Sequence, residues 1–544
     1  MQLSKYFILV LLVAMGFLAC KETETVYPDP YAGGLPPLGI AFDRGQPTPA
    51  EGGTGDIVTF KVTGLLPYKD SVEFYMGDQL AEVTNIGENS VSLKVPPFAS
   101  SGAVTVKIGD ELLYTPVFTV KGKLKIDRTF LAGRGANGAI SSIVPTSNNR
   151  YLLVGAFTQY NAAGVSNPLY GITMTETNGA YVSAFGVDSA VGATGIIRHA
   201  AQLPNGKILI GGSFSRYGSH TSLISGITAI NQQGYLDTMI VNVIPTEDDI
   251  DAAGEHEGNA EVVTVDTVPA FNAGFTGSIN RIYYHDEKVY VVGNFYVYQQ
   301  VYYPNSTRYT KVSDYRQVSN IARMDINGNL DSTFHYDLAE HKGKQGVIGN
   351  IGSSYMTENG QLILVGRFTS YDGTPTGNIV RLDENGDMDP TFMAGTGTNG
   401  VINSITYNAT TKKYVITGLF DTYNGQPRKN MAVLNEDGSL DANFIPQAVT
   451  GGVIVYAKQM SNGYIITTGT FQKYGDVTRY GLMVLNPDGT LSADHNNTGK
   501  FNGIVTDMVE TVSAEGDPAM ILVGFIQSFD NSAVGNIVRL VFER

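Results

Sequence analysis

The chain has no tryptophan and a single cysteine in 544 residues. Without tryptophan it lacks the commonest platform for stacking a sugar ring, although 31 tyrosines and 24 phenylalanines remain. One cysteine, Cys20, permits no disulfide within the chain, so an exported protein of this size must hold itself by packing and strand pairing. Positive charge is also short: 36 Lys and Arg against 51 Asp and Glu give a net charge of −15. That balance argues against nucleic acid or an anionic membrane surface as partner. Enzyme signatures are missing as well. His256-Glu257 lacks the second histidine of a zincin helix, no Gly-x-Ser-x-Gly elbow occurs, and Gly499-Lys500 is followed by Phe501 rather than Ser or Thr. Nothing in the sequence calls for a cofactor.

What the chain does have is one phrase said seven times. It reads VGAFTQY at 154–160, GGSFSRY at 211–217, VGNFYVY at 292–298, VGRFTSY at 365–371, TGLFDTY at 417–423 and TGTFQKY at 468–474. An altered copy, VGFIQSF, stands at 523–529. A repeat of this period means stacked or radial supersecondary units. Sixty-three glycines, above the usual ~7% share, and frequent Pro, Asn and Asp between short apolar runs favour an all-β chain. Within one repeat, clearest at 400–444, four β runs follow in order, VINSITYN, KYVITGLF, NMAVLNEDG and SLDANF, which is one propeller blade. The last repeat stops after its third strand, NIVRLVFER, and an orphan fourth strand, LKIDRTF, precedes the first repeat at 124–130. Their pairing would close a ring of seven blades over 122–544.

Ahead of this lie three other segments. Lys5 and an apolar run from Tyr6 to Ala19 are too short to span a bilayer and read as a secretory signal over 1–19. Phe17-Leu18-Ala19-Cys20 reads as a lipoprotein box whose thiol on Cys20 is acylated after cleavage. The stretch 20–37 is dense in Pro and Gly and is expected to be a tether. From 38 to 121, short alternating runs predict a small Ig-like sandwich.

Some of these patterns resemble known families. Gly-Asp-Ile-Val-Thr-Phe, Val-Glu-Phe-Tyr-Met-Gly, Ser-Val-Ser-Leu-Lys-Val-Pro-Pro and Ser-Gly-Ala-Val-Thr-Val resemble the TIG (IPT-like) domain, which implies a spacer. Gly-x-Phe-x-x-Tyr together with Arg-Leu-Asp-x-x-Gly-x-x-Asp-x-x-Phe resembles the bacterial delta-60 repeat family, which implies a β-propeller and fixes no activity. Lys21-Glu22-Thr23-Glu24 after Cys20 resembles the acidic signal that sends Bacteroidetes-type lipoproteins to the outer face of the outer membrane. The whole arrangement resembles the surface glycan-binding lipoproteins of SusC/SusD-type uptake systems. The resemblance implies a non-catalytic protein, anchored by lipid alone, that captures a polysaccharide or oligosaccharide and works beside such a transporter. An adhesin or protein scaffold, and a hydrolase with its carboxylates on loops, stay open as alternatives.

Candidate site residues come from two long insertions, at 243–275 and 296–317, and the connection at 338–346 is expected to open beside them. In an antiparallel meander, second-to-third and fourth-to-first connections emerge at the same end, so the two insertions should adjoin. Long loops on a rigid scaffold are where binding sites are built. The second insertion offers Tyr302, Tyr303, Tyr309 and Tyr315 with Asn305 and Arg308, flat apolar faces beside polar groups, which suits a sugar. Tyr296 and Tyr298 are expected to be structural. Ser142, His199, Asn280, Asn350, Asn403, Tyr456 and Thr506, with Asp507 as the one carboxylate, are expected to line the channel. Phe157, Phe214, Phe295, Phe368, Phe420 and Phe471 are read as packing between blades. Asp325-x-Asn327-Gly328 and Asp383-x-Asn385-Gly386 are read as tight turns rather than calcium loops, because Gly stands fourth and no twelfth-position Glu follows.

Overall fold

The computed structural model describes residues 38–186, 192–220, 223–253 and 263–543. The expected signal peptide, Cys20 and the tether lie outside these residues. The N-terminal part is a two-sheet β-sandwich. One sheet orders Ala41–Phe42, Ile57–Thr63, Ser90–Lys94 and Glu82–Ile86. The other orders Glu51–Gly52, Glu111–Val120, Gly102–Ile108, Val72–Met76 and Gln79–Leu80. Along Ile57–Thr63 every second residue is buried, the period-2 pattern of a strand with one wet face. Val58, Phe60, Phe74, Leu93, Val106 and Phe118 fill the space between the sheets.

Seven antiparallel sheets built on the repeat follow among the described residues, numbered here in chain order. Their first strands are Ile140–Pro145, Ala193–Gln202, Gly274–His285, Val347–Met356, Val401–Asn408, Ile454–Gln459 and Phe501–Val512. Each pairs with the second strand of its own sheet, which pairs in turn with the third. Every apolar cluster of this region is shared by two consecutive sheets, and one joins Leu153, Phe157 and Tyr160 of the first to Ile521, Val523 and Ile537 of the seventh. The sheets therefore close on themselves as a β-propeller. In the first six, the expected fourth strand is reduced to a single bridge, such as Leu434↔Leu440. In the seventh, Leu124–Ile126 pairs antiparallel with Ile537–Phe542, in register Leu124↔Phe542.

The repeated residues have separate tasks. Each first strand bulges opposite the glycine of Gly-x-Phe, for example between Ile402 and Ser404 opposite Gly418. A methyl group on any of those seven glycines would stand 2.0–2.2 Å from a carbonyl oxygen of the first strand or of the residue just before it. The phenylalanines are buried between sheets. The tyrosine three residues on donates its hydroxyl to the carbonyl of its own sheet's turn glycine, as Tyr423 does to Gly438 at 2.6 Å and Tyr160 to Gly179 at 2.8 Å. The seventh sheet has no such turn, because its fourth strand comes from the other end of the propeller. Phe529, without a hydroxyl, stands there instead. The Asp325 carboxylate accepts hydrogen bonds from the backbone N–H of Asn327 and Asn329, both at 2.9 Å, so its task is to fold its own turn.

At three corners an arginine ties one sheet to the next. Arg381 donates to Asp389 at 2.7 Å, lies over the Phe392 ring at 4.8 Å and donates to the Glu436 carbonyl one sheet further on. Arg323 repeats this with Asp331, Phe334 and Glu384. At the seam the same motif is split, with Arg539 from the last sheet and Asp127, Thr129 and Phe130 from the N-terminal strand.

The sandwich meets the propeller at its sixth sheet. Asn497 donates to Thr54 Oγ1 at 3.2 Å, and the Thr478 hydroxyl donates to the Asp78 carboxylate.

Candidate ligand-binding groove

The first insertion begins earlier than expected, as a hairpin of Thr238–Val243 with Thr264–Pro269. Within it lies the short helix Glu247–Ala253, whose first turn carries Glu247, Asp248 and Asp249. Asp249 accepts from the Thr246 backbone N–H at 2.9 Å and its hydroxyl at 2.8 Å, half of a capping box. In the second insertion, Lys288–Val301 runs past the length of its counterparts and pairs its extra turn of strand with Ser313–Gln317. Tyr303–Asn305 forms a single 3-10 turn between them.

The two insertions are stitched together. Ile244 N–H donates to the Ser306 carbonyl at 2.8 Å, and Arg308 Nε donates to the Val265 carbonyl at 3.0 Å. Arg308 also pairs with Asp249 at 3.1 Å, and Lys311 pairs with Asp266 at 2.6 Å. The connection 338–346 lies against the far edge of the second insertion, where a methyl on Gly343 would press on Val318 Cα at 2.9 Å.

Between the insertions and the second sheet opens a cavity of about 760 Å³. Tyr303, Tyr309, Tyr315, Arg308, Lys311 and Asp266 line it together with Leu223, Ile224, Ser225, Asn272 and Gln299. Tyr309 and Tyr315 present rings that are 75% and 59% exposed, whereas Tyr303 is buried in the wall. Burial, with Asp266 beside it, pushes the Tyr303 phenol up to about 12, so it stays a neutral hydroxyl. Asp266 is the one carboxylate lining the cavity among the described residues, and Lys311 holds it.

The sequence reading of this region needs three corrections. Tyr302 and Asn305 are exposed at the 3-10 turn, which the Asn305 N–H closes on the Tyr302 carbonyl, and are not among the residues lining the cavity. Tyr296, expected in the core, is 55% exposed and borders a second hollow with Gln317 and Lys342, whereas Tyr298 is buried and bonded to the Gly328 carbonyl. Asn280, Asn403 and Thr506 occupy the bulges of their strands, so the inward layer falls one residue later, at Arg281, Ser404 and Asp507. Asn350 lies before its strand's bulge, whose layer residue is Ser353, while Ser142, His199 and Tyr456 sit in the layer itself.

That layer is a brace. Asp507 accepts from Ser142 at 2.8 Å, from the Ile143 and Met508 backbone and from Tyr456 at 3.2 Å, joining the sixth, seventh and first sheets. Lys458 donates to the Met508 carbonyl at 2.6 Å, and burial pulls its ammonium below the ordinary lysine range against the opposing pull of Asp507. Burial and then the neighbouring Arg281 hold His199 well below the usual imidazole value, and its Nδ1 accepts from the Ile282 N–H. Lys311, Asp266, Asn272, Gln299 and Ser225 were not among the expected site residues. Asp266 and Asn272 fall within the marked stretch 243–275 and Gln299 and Lys311 within 296–317, without being singled out there; Ser225 lies outside both.

Four stretches of the propeller, 203–224, 357–392, 411–444 and 461–491, match a family described as a domain of unknown function (DUF5122) β-propeller. Residues 19–116 match a second domain of unknown function (DUF5008). No curated protein matches the chain. Similar solved structures include a computationally designed protein at 10% identity, covering 85% of this chain and 96% of its own, with a TM-score of 0.37. An auxiliary nutrient binding protein from Bacteroides thetaiotaomicron is 11% identical over 92% of this chain and 97% of its own, TM-score 0.30. Another from Bacteroides ovatus is 14% identical over 69% and 94%, TM-score 0.20. Similarity at this level assigns no activity.

Proposed function

We propose that this protein is a non-catalytic, lipid-anchored outer-membrane protein that binds a neutral extracellular polysaccharide for nutrient uptake beside a SusC/SusD-type transporter. In this reading Cys20 carries the lipid, the sandwich is a TIG-like spacer, and a seven-bladed propeller presents the groove to the cell exterior. One observation carries it. Two insertions from different sheets meet and enclose a cavity that offers the exposed faces of Tyr309 and Tyr315 beside the Gln299 amide and the Ser225 hydroxyl. Aromatic faces take the C–H side of a pyranose while amides and hydroxyls meet its edge, and no formal charge is needed. The cations of the wall, Arg308 and Lys311, already face Asp249 and Asp266, which favours a neutral sugar over an acidic one.

Affinity gel electrophoresis of the purified protein in starch, xylan, xyloglucan, galactomannan and laminarin tests this. Retardation in at least one, reduced by Y309A and Y315A together, is expected. Free migration in all five, or release of reducing sugar from any, would overturn it.

A further inference from the structure

The seventh repeat puts its aromatic ring in a different place from the other six. In those, the phenyl of Gly-x-Phe lies in the core and the intervening residue is Ala156, Ser213, Asn294, Arg367, Leu419 or Thr470. In VGFIQSF the core position is filled by Ile526, 1% exposed, and Phe525 stands at the outward one, 51% exposed. The core loses nothing by this, so packing does not explain a phenyl ring held in water.

Beside Phe525 is a hollow of about 600 Å³ between the sixth and seventh sheets. Tyr480, Lys500, Asn502 and Gln527 line it with Thr470. The Lys500 ammonium lies 4.4 Å from the centre of the Tyr480 ring, which holds both side chains in place. Asn502 Nδ2 donates to Gln527 Oε1 at 2.8 Å, leaving the other polar atom of each amide for a ligand. It is lined by the second-to-third connection of the sixth sheet, by Lys500 from the fourth-to-first connection, and by the strand ends that carry Asn502 and Gln527, so it opens on the same face of the propeller as the insertion groove.

From these observations we infer a second saccharide site in this hollow, for a neutral sugar residue stacked on Phe525 with its hydroxyls on the Asn502–Gln527 amides and Lys500. It rests on the glycan-binding reading and adds that one polymer chain is held at two places on one face, so that weak contacts combine.

Calorimetric titration of the full chain in detergent with maltohexaose, xylohexaose, cellohexaose, mannohexaose and laminarihexaose tests it. The expected result is two sites per chain for at least one of them. F525A leaves one, Y309A with Y315A leaves one, and each weakens binding of the parent polysaccharide at least tenfold. F525A should melt with the wild type, since its ring is half in solvent. A single site in the wild type that F525A does not alter overturns this inference and leaves the groove reading standing. Binding lost to F525A but untouched by Y309A and Y315A upholds it and removes the groove. No heat with any of the five overturns both.

Discussion

Asp127 and Arg539 are 412 residues apart in sequence and share a hydrogen bond of 2.6 Å inside the protein. Their side chains are 3% and 5% exposed, and the pair reproduces, across the seam, the corner that Arg381 and Asp389 make within one sheet.

Breaking that pair should open the propeller. R539M leaves the Asp127 carboxylate buried without its cation and should destabilise the chain by about 3–5 kcal/mol. The neighbouring Lys125–Glu543 pair is nearly half exposed, and K125A should cost less than about 1 kcal/mol. Urea unfolding followed by far-UV circular dichroism distinguishes the two, and equal shifts would contradict the assignment of the seam.

Acid should act on the three corner pairs together. Burial alone would raise Asp331, but hydrogen bonds from Thr333 and then the Arg323 guanidinium outweigh it and bring the carboxyl down to about 2. Asp127 and Asp389 are lowered in the same way by threonine and arginine partners. A carboxyl whose folded value is depressed contributes fully above its unfolded value of about 3.9 and loses that contribution as pH falls toward 2. Melting temperature should therefore drop steeply between about pH 4 and 2, and R323M should melt lower at pH 6 with a shallower drop.

Removing one tyrosine hydroxyl tests the turn. Y423F deprives the buried Gly438 carbonyl of its donor at 2.6 Å, which should cost about 1–2 kcal/mol in the same denaturation measurement. F529Y places a hydroxyl where no turn carbonyl waits and should destabilise as well, rather than restore a lost bond.

Within the groove, neighbouring tyrosines should differ. Y309A and Y315A each remove a ring facing the cavity and should weaken polysaccharide binding by roughly three- to tenfold. Y302A and N305A change residues on the solvent side of the turn and should leave affinity alone. Dissociation constants from quantitative affinity gels decide this, and a loss with Y302A matching that of Y309A would misplace the site.

Much of this architecture was readable beforehand because it repeats. Gly-x-Phe-x-x-Tyr announces a core phenyl, and the orphan LKIDRTF announces its missing partner strand. The adjacency of the two insertions follows from strand direction alone. What the sequence hides is displacement by one residue. A bulge turns Asn280 aside and brings Arg281 inward, and nothing in the local pattern marks which of two consecutive residues the bulge absorbs. The same slip, in side chains rather than backbone, hides Phe525 behind Ile526. Tyr302 and Tyr303 look alike in sequence, and a single 3-10 turn sends one ring into the wall and the other into water. Ser225 carries no signal at all, because it joins the cavity only through what an insertion elsewhere builds over it.

The strand Leu124–Ile126 has a further consequence for how the molecule is made. It leaves the ribosome long before Ile537–Phe542, the partner it must grip, so the circle stays unlatched through most of synthesis. Until the latch arrives, two raw strand margins face outward and invite pairing with any other chain. For a molecule joined end to end like this, the hazardous interval is the wait for its own tail.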